Sequence, residues 1–218
     1  MKDVKYLPAA RFHILTPLYD GLCSILGLGK NYRERIVKTL QLQSGNAKVL
    51  DAGCGTGNLV IEFKQANPRT ELHAVDADNE MLTTANGKAK KLNLDINFMK
   101  SFLQKLPYKD NFFDIVYSSL VFHHLNTQSK NQAMREICRV LKKKGKFYLF
   151  DFGKPKSRFS LIAWFAVHLE EGYDNIKGNI PSMLLNAGFK PVRKVSEYRL
   201  GIDFLVAEKA IRLTRKKS

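Results

Sequence analysis

Cysteine is scarce in this chain of 218 residues: Cys23, Cys54 and Cys138 are the only three, and no two form a CxxC pair. An odd, scattered set argues against a disulfide framework and against a zinc site, so no metal is expected. Long apolar runs are also lacking; the longest, residues 161–167, is far too short to cross a bilayer. The first residues carry Lys2, Asp3 and Lys5 and no apolar h-region, so no secretory signal is expected. Internal repeats and low-complexity linkers are missing, which makes a single domain over 1–218 the expectation. These absences together predict a reducing, cytoplasmic setting.

Acidic residues are outnumbered, 20 against 36 Lys and Arg, giving a formal net charge of +16. Such a surplus suits nucleic acid, an anionic membrane surface or an acidic substrate, and equally an enzyme that is merely basic. At 44% apolar residues, the chain can bury one sizeable core.

The most informative stretch is Val49-Leu50-Asp51-Ala52-Gly53-Cys54-Gly55-Thr56-Gly57-Asn58-Leu59. An apolar strand ends in an aspartate, glycines alternate with small residues, and a helical pattern begins. Glycine permits positive φ and removes the Cβ that would hold a ligand off the backbone. The first amides of the following helix then face outward at the positive end of its dipole. A turn of this kind at a strand's carboxyl end is where open α/β sheets bind ligands. Gly53, Gly55 and Gly57 give G-x-G-x-G, one position short of the dinucleotide fingerprint. A second strand, Leu72-His73-Ala74-Val75, ends in Asp76, placed to accept hydrogen bonds from a ribose diol. Asp51 can organise a ligand's ammonium, and the two carboxylates together disfavour a pyrophosphate.

VLDAGCGTGNL followed by HAVDADNEML resembles motifs I and II of the class I S-adenosylmethionine-dependent methyltransferases, and the likeness runs over residues 48–155. The nearest style is the ubiquinone/menaquinone-biosynthesis and small-molecule branch. The resemblance implies an α/β fold: a Rossmann-like, mostly parallel seven-stranded sheet with helices on both faces, an antiparallel last strand and an N-terminal helical extension. It implies S-adenosyl-L-methionine as cofactor, with Gly53, Gly55, Thr56 and Gly57 approaching it from the first turn. Asp76 and Ala77 would serve the ribose. The third turn usually reads Gly-Asp-Ala in the family; here Ser101 stands at the acid and Phe102 at the small residue, with the Phe102 amide meeting the adenine. Ser119 would approach from the fourth strand, and Tyr19 would touch the methionine end, unless Tyr19 is only a packing aromatic.

The resemblance implies a helical extension (1–45), a cofactor-binding core (46–153), a substrate-lid insert (154–180) and a C-terminal helix and hairpin (181–210). Residues 126–142 read as a long amphipathic helix, with Lys142, Lys143 and Lys144 complementing its C-terminal dipole and Gly145 ending it. Within the insert, Phe159 to Val167 is apolar on every face, which fits a lid over an apolar acceptor or an ordinary core or dimer helix. His123 and His124 point in different directions, and no acid or further cysteine is placed to join them in a metal site. Either ring fits a general base near neutral pH, and His123 is the candidate catalytic residue; packing and hydrogen bonding are the alternative.

The expected activity is in-line methyl transfer to a small or lipid-like acceptor. The sulfonium is already a good leaving group, so proximity and alignment are what the protein must supply. The Asn-Pro-Pro-aromatic signature of base-modifying enzymes is absent, which weighs against nucleic acid despite the charge. Two rivals stay open: a cofactor-binding or partner protein without transfer activity, and an NAD-dependent oxidoreductase.

Overall fold

The computed structural model describes residues 27–40, 45–154 and 172–211. Seven strands form one sheet in the order β3-β2-β1-β4-β5-β7-β6. They are β1 (Lys48–Ala52), β2 (Glu71–Asp76), β3 (Asn97–Lys100), β4 (Phe113–Ser119), β5 (Leu141–Phe152), β6 (Phe189–Tyr198) and β7 (Ile202–Lys209). The first five pair in parallel, and β7 runs antiparallel between β5 and β6. Strand order reverses beside β1, so the carboxyl ends of β1, β2 and β4 frame the crevice where such sheets bind ligands.

Helices α1 (Lys30–Thr39), α2 (Asn58–Ala66) and α3 (Asn79–Lys91) share one apolar cluster with one face of the sheet. Helices α4 (Thr127–Val140) and α6 (Ile180–Asn186) share the cluster on the opposite face. Each start has a local cause. Asp78 caps α3 by accepting from the N–H groups of Glu80 and Met81, and Asn126 caps α4 by accepting from Ser129. By contrast, α2 begins at Gly57 in the left-handed region without a side-chain cap. Its first amides are therefore left without a side-chain acceptor at the cap.

The predicted architecture stands: a parallel sheet, helices on both faces, an antiparallel final strand and a closing hairpin. The hairpin turns through a short 3-10 segment, Arg199–Gly201. A short helix the periodicity did not show, α5 (Tyr173–Lys177), precedes α6. Of the N-terminal extension, residues 27–40 are described and contain α1; Tyr19 and residues 155–171, which include the apolar run expected to be a lid, lie outside the described residues.

The end of α4 differs from expectation. The helix stops at Val140, and Leu141 already pairs with Phe113 as the first residue of β5. The lysine run is therefore strand, not helix end, and the left-handed residue is Lys144 (φ 62°) rather than Gly145. Lys142 reaches both oxygens of Asp114, at 2.7 and 2.8 Å. The cation on the terminal carbonyls of α4 comes from β7: Lys209 Nζ donates to Arg139 O (3.2 Å) and Leu141 O (2.6 Å). Burial of Leu141 against β4 overrides the local charge rule.

Candidate functional site

The glycine turn after β1 is held from β2. The Gly53 and Cys54 amides donate to Val75 O at 2.8 and 3.0 Å, and the Gly55 amide donates to Asp76 Oδ2 at 2.8 Å. All three glycines have positive φ, at 93°, 52° and 83°. Their surroundings separate them. A Cβ on Gly53 would collide with Val121, and one on Gly57 would lie 2.6 Å from Ala85 Cβ. A Cβ on Gly55 would meet nothing within 4 Å. Gly53 and Gly57 thus pack the turn against β4's exit and α3, and Gly55 alone opens onto the crevice. Thr56 is buried between them.

Asp51 is 1% exposed, and its Oδ2 lacks a hydrogen-bond partner. Burial above all, with the charge of Asp76 adding to it, pushes its carboxyl up to about 8; the neighbouring Tyr117 phenol works in the opposite direction. Tyr117 Oη is itself buried and without a well-formed hydrogen bond. Burying polar atoms unsatisfied costs free energy, which a cationic or hydrogen-bonding ligand would recover. The Asp76 carboxyl is also raised by burial, against the pull of the Asp78 and Gly55 amides. Its Oδ1 accepts from Asp78 N–H at 2.9 Å, so each oxygen keeps lone pairs for a ribose hydroxyl. Ala77 lies between, half-buried on the same turn.

The third turn is tied to the second by Ser101 N–H, which donates to Asp76 O at 2.9 Å. Ser101 Oγ faces Phe102 O and Lys105 O, both at 3.1 Å, so its proton is spent inside the loop and its lone pairs remain outward. Phe102 is 41% exposed on this edge. Ser119 sits at the end of β4, where its Oγ meets Tyr32 Oη at 3.0 Å. It therefore joins α1 to the crevice.

His123 lies on the 3-10 turn Phe122–His124. Its Nδ1 is 2.8 Å from Asp151 Oδ1, and both residues are buried. The His123 and His124 rings do not diverge as expected: their centroids are 4.0 Å apart with planes tilted by 38°. Parallel pairing of β4 with β5 delivers an acid that the sequence did not place beside them, Asp151. Among the described residues, no group of three or more His, Cys, Asp or Glu side chains could hold a metal ion. Asp151, Tyr32 and Tyr117 are the site residues sequence reasoning missed. The signal for Asp151 was present: β1 and β2 also end in an aspartate on this edge, Asp51 and Asp76.

Fold and site are those of an open α/β sheet with the Asp51 and Asp76 carboxyls beside a glycine turn too short for the dinucleotide pattern. Residues 49–145 match the family model described as a methyltransferase domain. A demethylmenaquinone methyltransferase of Thermus thermophilus is 31% identical over 153 residues, covering 69% of each chain. A ubiquinone/menaquinone biosynthesis C-methyltransferase of Bdellovibrio bacteriovorus is 36% identical over 138 residues, 62% of this chain; the chain spans 57% of that relative's length. The solved structure of a SAM-dependent methyltransferase from Aquifex aeolicus superposes with a TM-score of 0.66 at 23% identity, over 82% of this chain and 89% of the other. The chain belongs to the class I S-adenosylmethionine-dependent methyltransferases, ubiquinone/menaquinone-biosynthesis style. S-adenosylmethionine is accordingly its cofactor, and the exposed face of Gly55, the uncompensated Asp51 and the Asp76 carboxylate fit it.

Proposed function

We propose that this protein methylates a reduced, lipid-like quinone precursor. The observation that carries the acceptor class is the 31–36% identity to enzymes named for demethylmenaquinone and for ubiquinone/menaquinone biosynthesis. When bound, S-adenosylmethionine supplies a methyl group on a positively charged sulfur. Asp51 meets its ammonium, Asp76 its ribose hydroxyls, and the Ser101 lone pairs and Phe102 amide the adenine. His123 takes the acceptor's proton, a contribution of about 10²–10⁴-fold for a well-placed base. A quinone acceptor resides in a bilayer, so the basic surplus serves an anionic membrane surface in a cytoplasmic setting. No helix among the described residues is long and apolar enough to cross a membrane.

The test has two stages. Saturating S-adenosylhomocysteine, at about 100 times its Kd, should add about 2.7 kcal/mol and raise Tm by roughly 5–10 °C, with NAD giving no shift. Chemically reduced demethylmenaquinone is then offered with labelled S-adenosylmethionine, and label in the quinone supports the reading. A thermal shift without transfer to quinols, in the presence of detergent or anionic vesicles, would remove the acceptor assignment and leave the cofactor assignment standing.

A further inference from the structure

We propose that Asp151 is the positioning residue that sets His123 as proton acceptor in methyl transfer. The proposal rests on the reading of His123 as the base.

Asp151 is 3% exposed at the carboxyl end of β5, and four backbone N–H groups donate to it. Oδ2 accepts from the backbone N–H groups of Val121, Phe122 and His123, at 3.1, 2.7 and 3.3 Å. Oδ1 accepts from Phe152 N–H at 2.7 Å and faces His123 Nδ1 at 2.8 Å. With four backbone N–H donors already converging on its two oxygens, Asp151 is built as an acceptor, which assigns the donor role in the fifth contact to Nδ1. The neutral ring then carries its proton on Nδ1 and its lone pair on Nε2. Capping the turn would need Oδ2 alone; Oδ1 adds the orientation of the ring. Phe152 fixes the ring plane from the side, edge-on at 4.9 Å and 84°. The same turn abuts the cofactor loop, because Val121 fills the space beside Gly53. One carboxylate thus holds both the turn that packs on the glycine loop and the imidazole ring on that turn.

In the step this arrangement serves, the acceptor's proton moves to Nε2 and its bonding pair stays on the acceptor. The acceptor gains the methyl group, and S-adenosylhomocysteine leaves neutral at sulfur. The imidazolium that remains is compensated by Asp151 across the 2.8 Å contact and loses its proton to solvent between turnovers.

Nitrogen-15 spectra of the histidine side chains report the tautomer directly, whatever the acceptor. His123 is expected as the Nδ1–H form in the wild-type protein, and an Nε2–H form would overturn the proposal. In Asp151→Asn the carbonyl oxygen must serve the three backbone donors, which turns the amide NH₂ toward Nδ1 and forces the Nε2–H form. With reduced demethylmenaquinone, kcat should fall about 10²–10⁴-fold while KM for S-adenosylmethionine changes less than threefold. A proportional loss in KM with kcat unchanged would make Asp151 merely structural. Should Asp151→Asn not fold, His123→Asn leaves the amide bonds of Asp151 in place, and wild-type kcat in that variant equally sinks the idea. Absence of quinol turnover in the wild type would defeat the acceptor reading, and the tautomer would still decide Asp151.

Discussion

Tyr32 Oη and Ser119 Oγ meet at 3.0 Å, joining α1 to the end of β4 across 87 positions of sequence. The Tyr32 ring also packs on Tyr198 and Phe204, with centroids 5.0 and 6.1 Å away. Tyr32→Phe keeps the packing and removes the hydrogen bond, which should cost about 1 kcal/mol. Tm should fall by roughly 2–4 °C. Amide exchange should quicken in α1 and stay unchanged in β4; uniform quickening would mean the bond is not what docks the helix.

The three glycines should not behave alike. Gly53→Ala and Gly57→Ala drive a Cβ into Val121 and Ala85 and should lower stability by roughly 1–3 kcal/mol, read from urea midpoints. Gly55→Ala meets no atom within 4 Å, so its stability cost is only the strain at φ 52°, about 1 kcal/mol. Its main effect should be on S-adenosylhomocysteine affinity, measured by calorimetry. Unchanged affinity would place the cofactor away from Gly55.

Asp51 should make cofactor binding depend on pH. Its folded-state carboxyl ionises near 8, against an ordinary 3.8. The folded protein therefore binds more protons than the unfolded chain between those values, and stability from this group falls as pH rises from about 4 to about 8. A bound ammonium favours the carboxylate, so affinity should rise about tenfold or more from pH 6.5 to 8.5, with a proton released. Calorimetry at pH 7 in buffers of different ionisation enthalpy counts that proton, and Asp51→Asn should abolish both the release and the slope.

Asp76 and Ser101 should differ in weight. Asp76→Ala removes a ribose acceptor and the tie to Gly55, and should weaken S-adenosylhomocysteine binding more than tenfold. Ser101→Ala removes one neutral acceptor and should cost less than tenfold. The reverse ranking would move the ribose off β2.

What the sequence made legible was the part written in neighbouring residues. Strand, glycine turn and helix follow one another from Val49 to Ala66, and alternation of such units predicted the sheet. What escaped depends on partners far along the chain. Val121 and Ala85 decide which glycine has open space beside it, and 28 positions separate His123 from Asp151. The lysine run after α4 obeyed a sound local rule, yet Leu141 is buried in the sheet and Lys209 already serves the helix end.

Among the described strands, β7 comes last in sequence yet does not lie at the sheet's edge. Because β7 lies between β5 and β6, the edge of β5 from Lys146 to Phe152 waits during synthesis for Ile202–Lys209 to emerge. Strand β6, translated earlier, waits for the same segment. Strands β1 to β4, with the glycine turn and Asp76, can assemble from residues already released. Synthesis thus releases the strands around the glycine turn before those around Asp151 can pair. The flank that steadies Asp151 is completed only when Asp203 pairs opposite it.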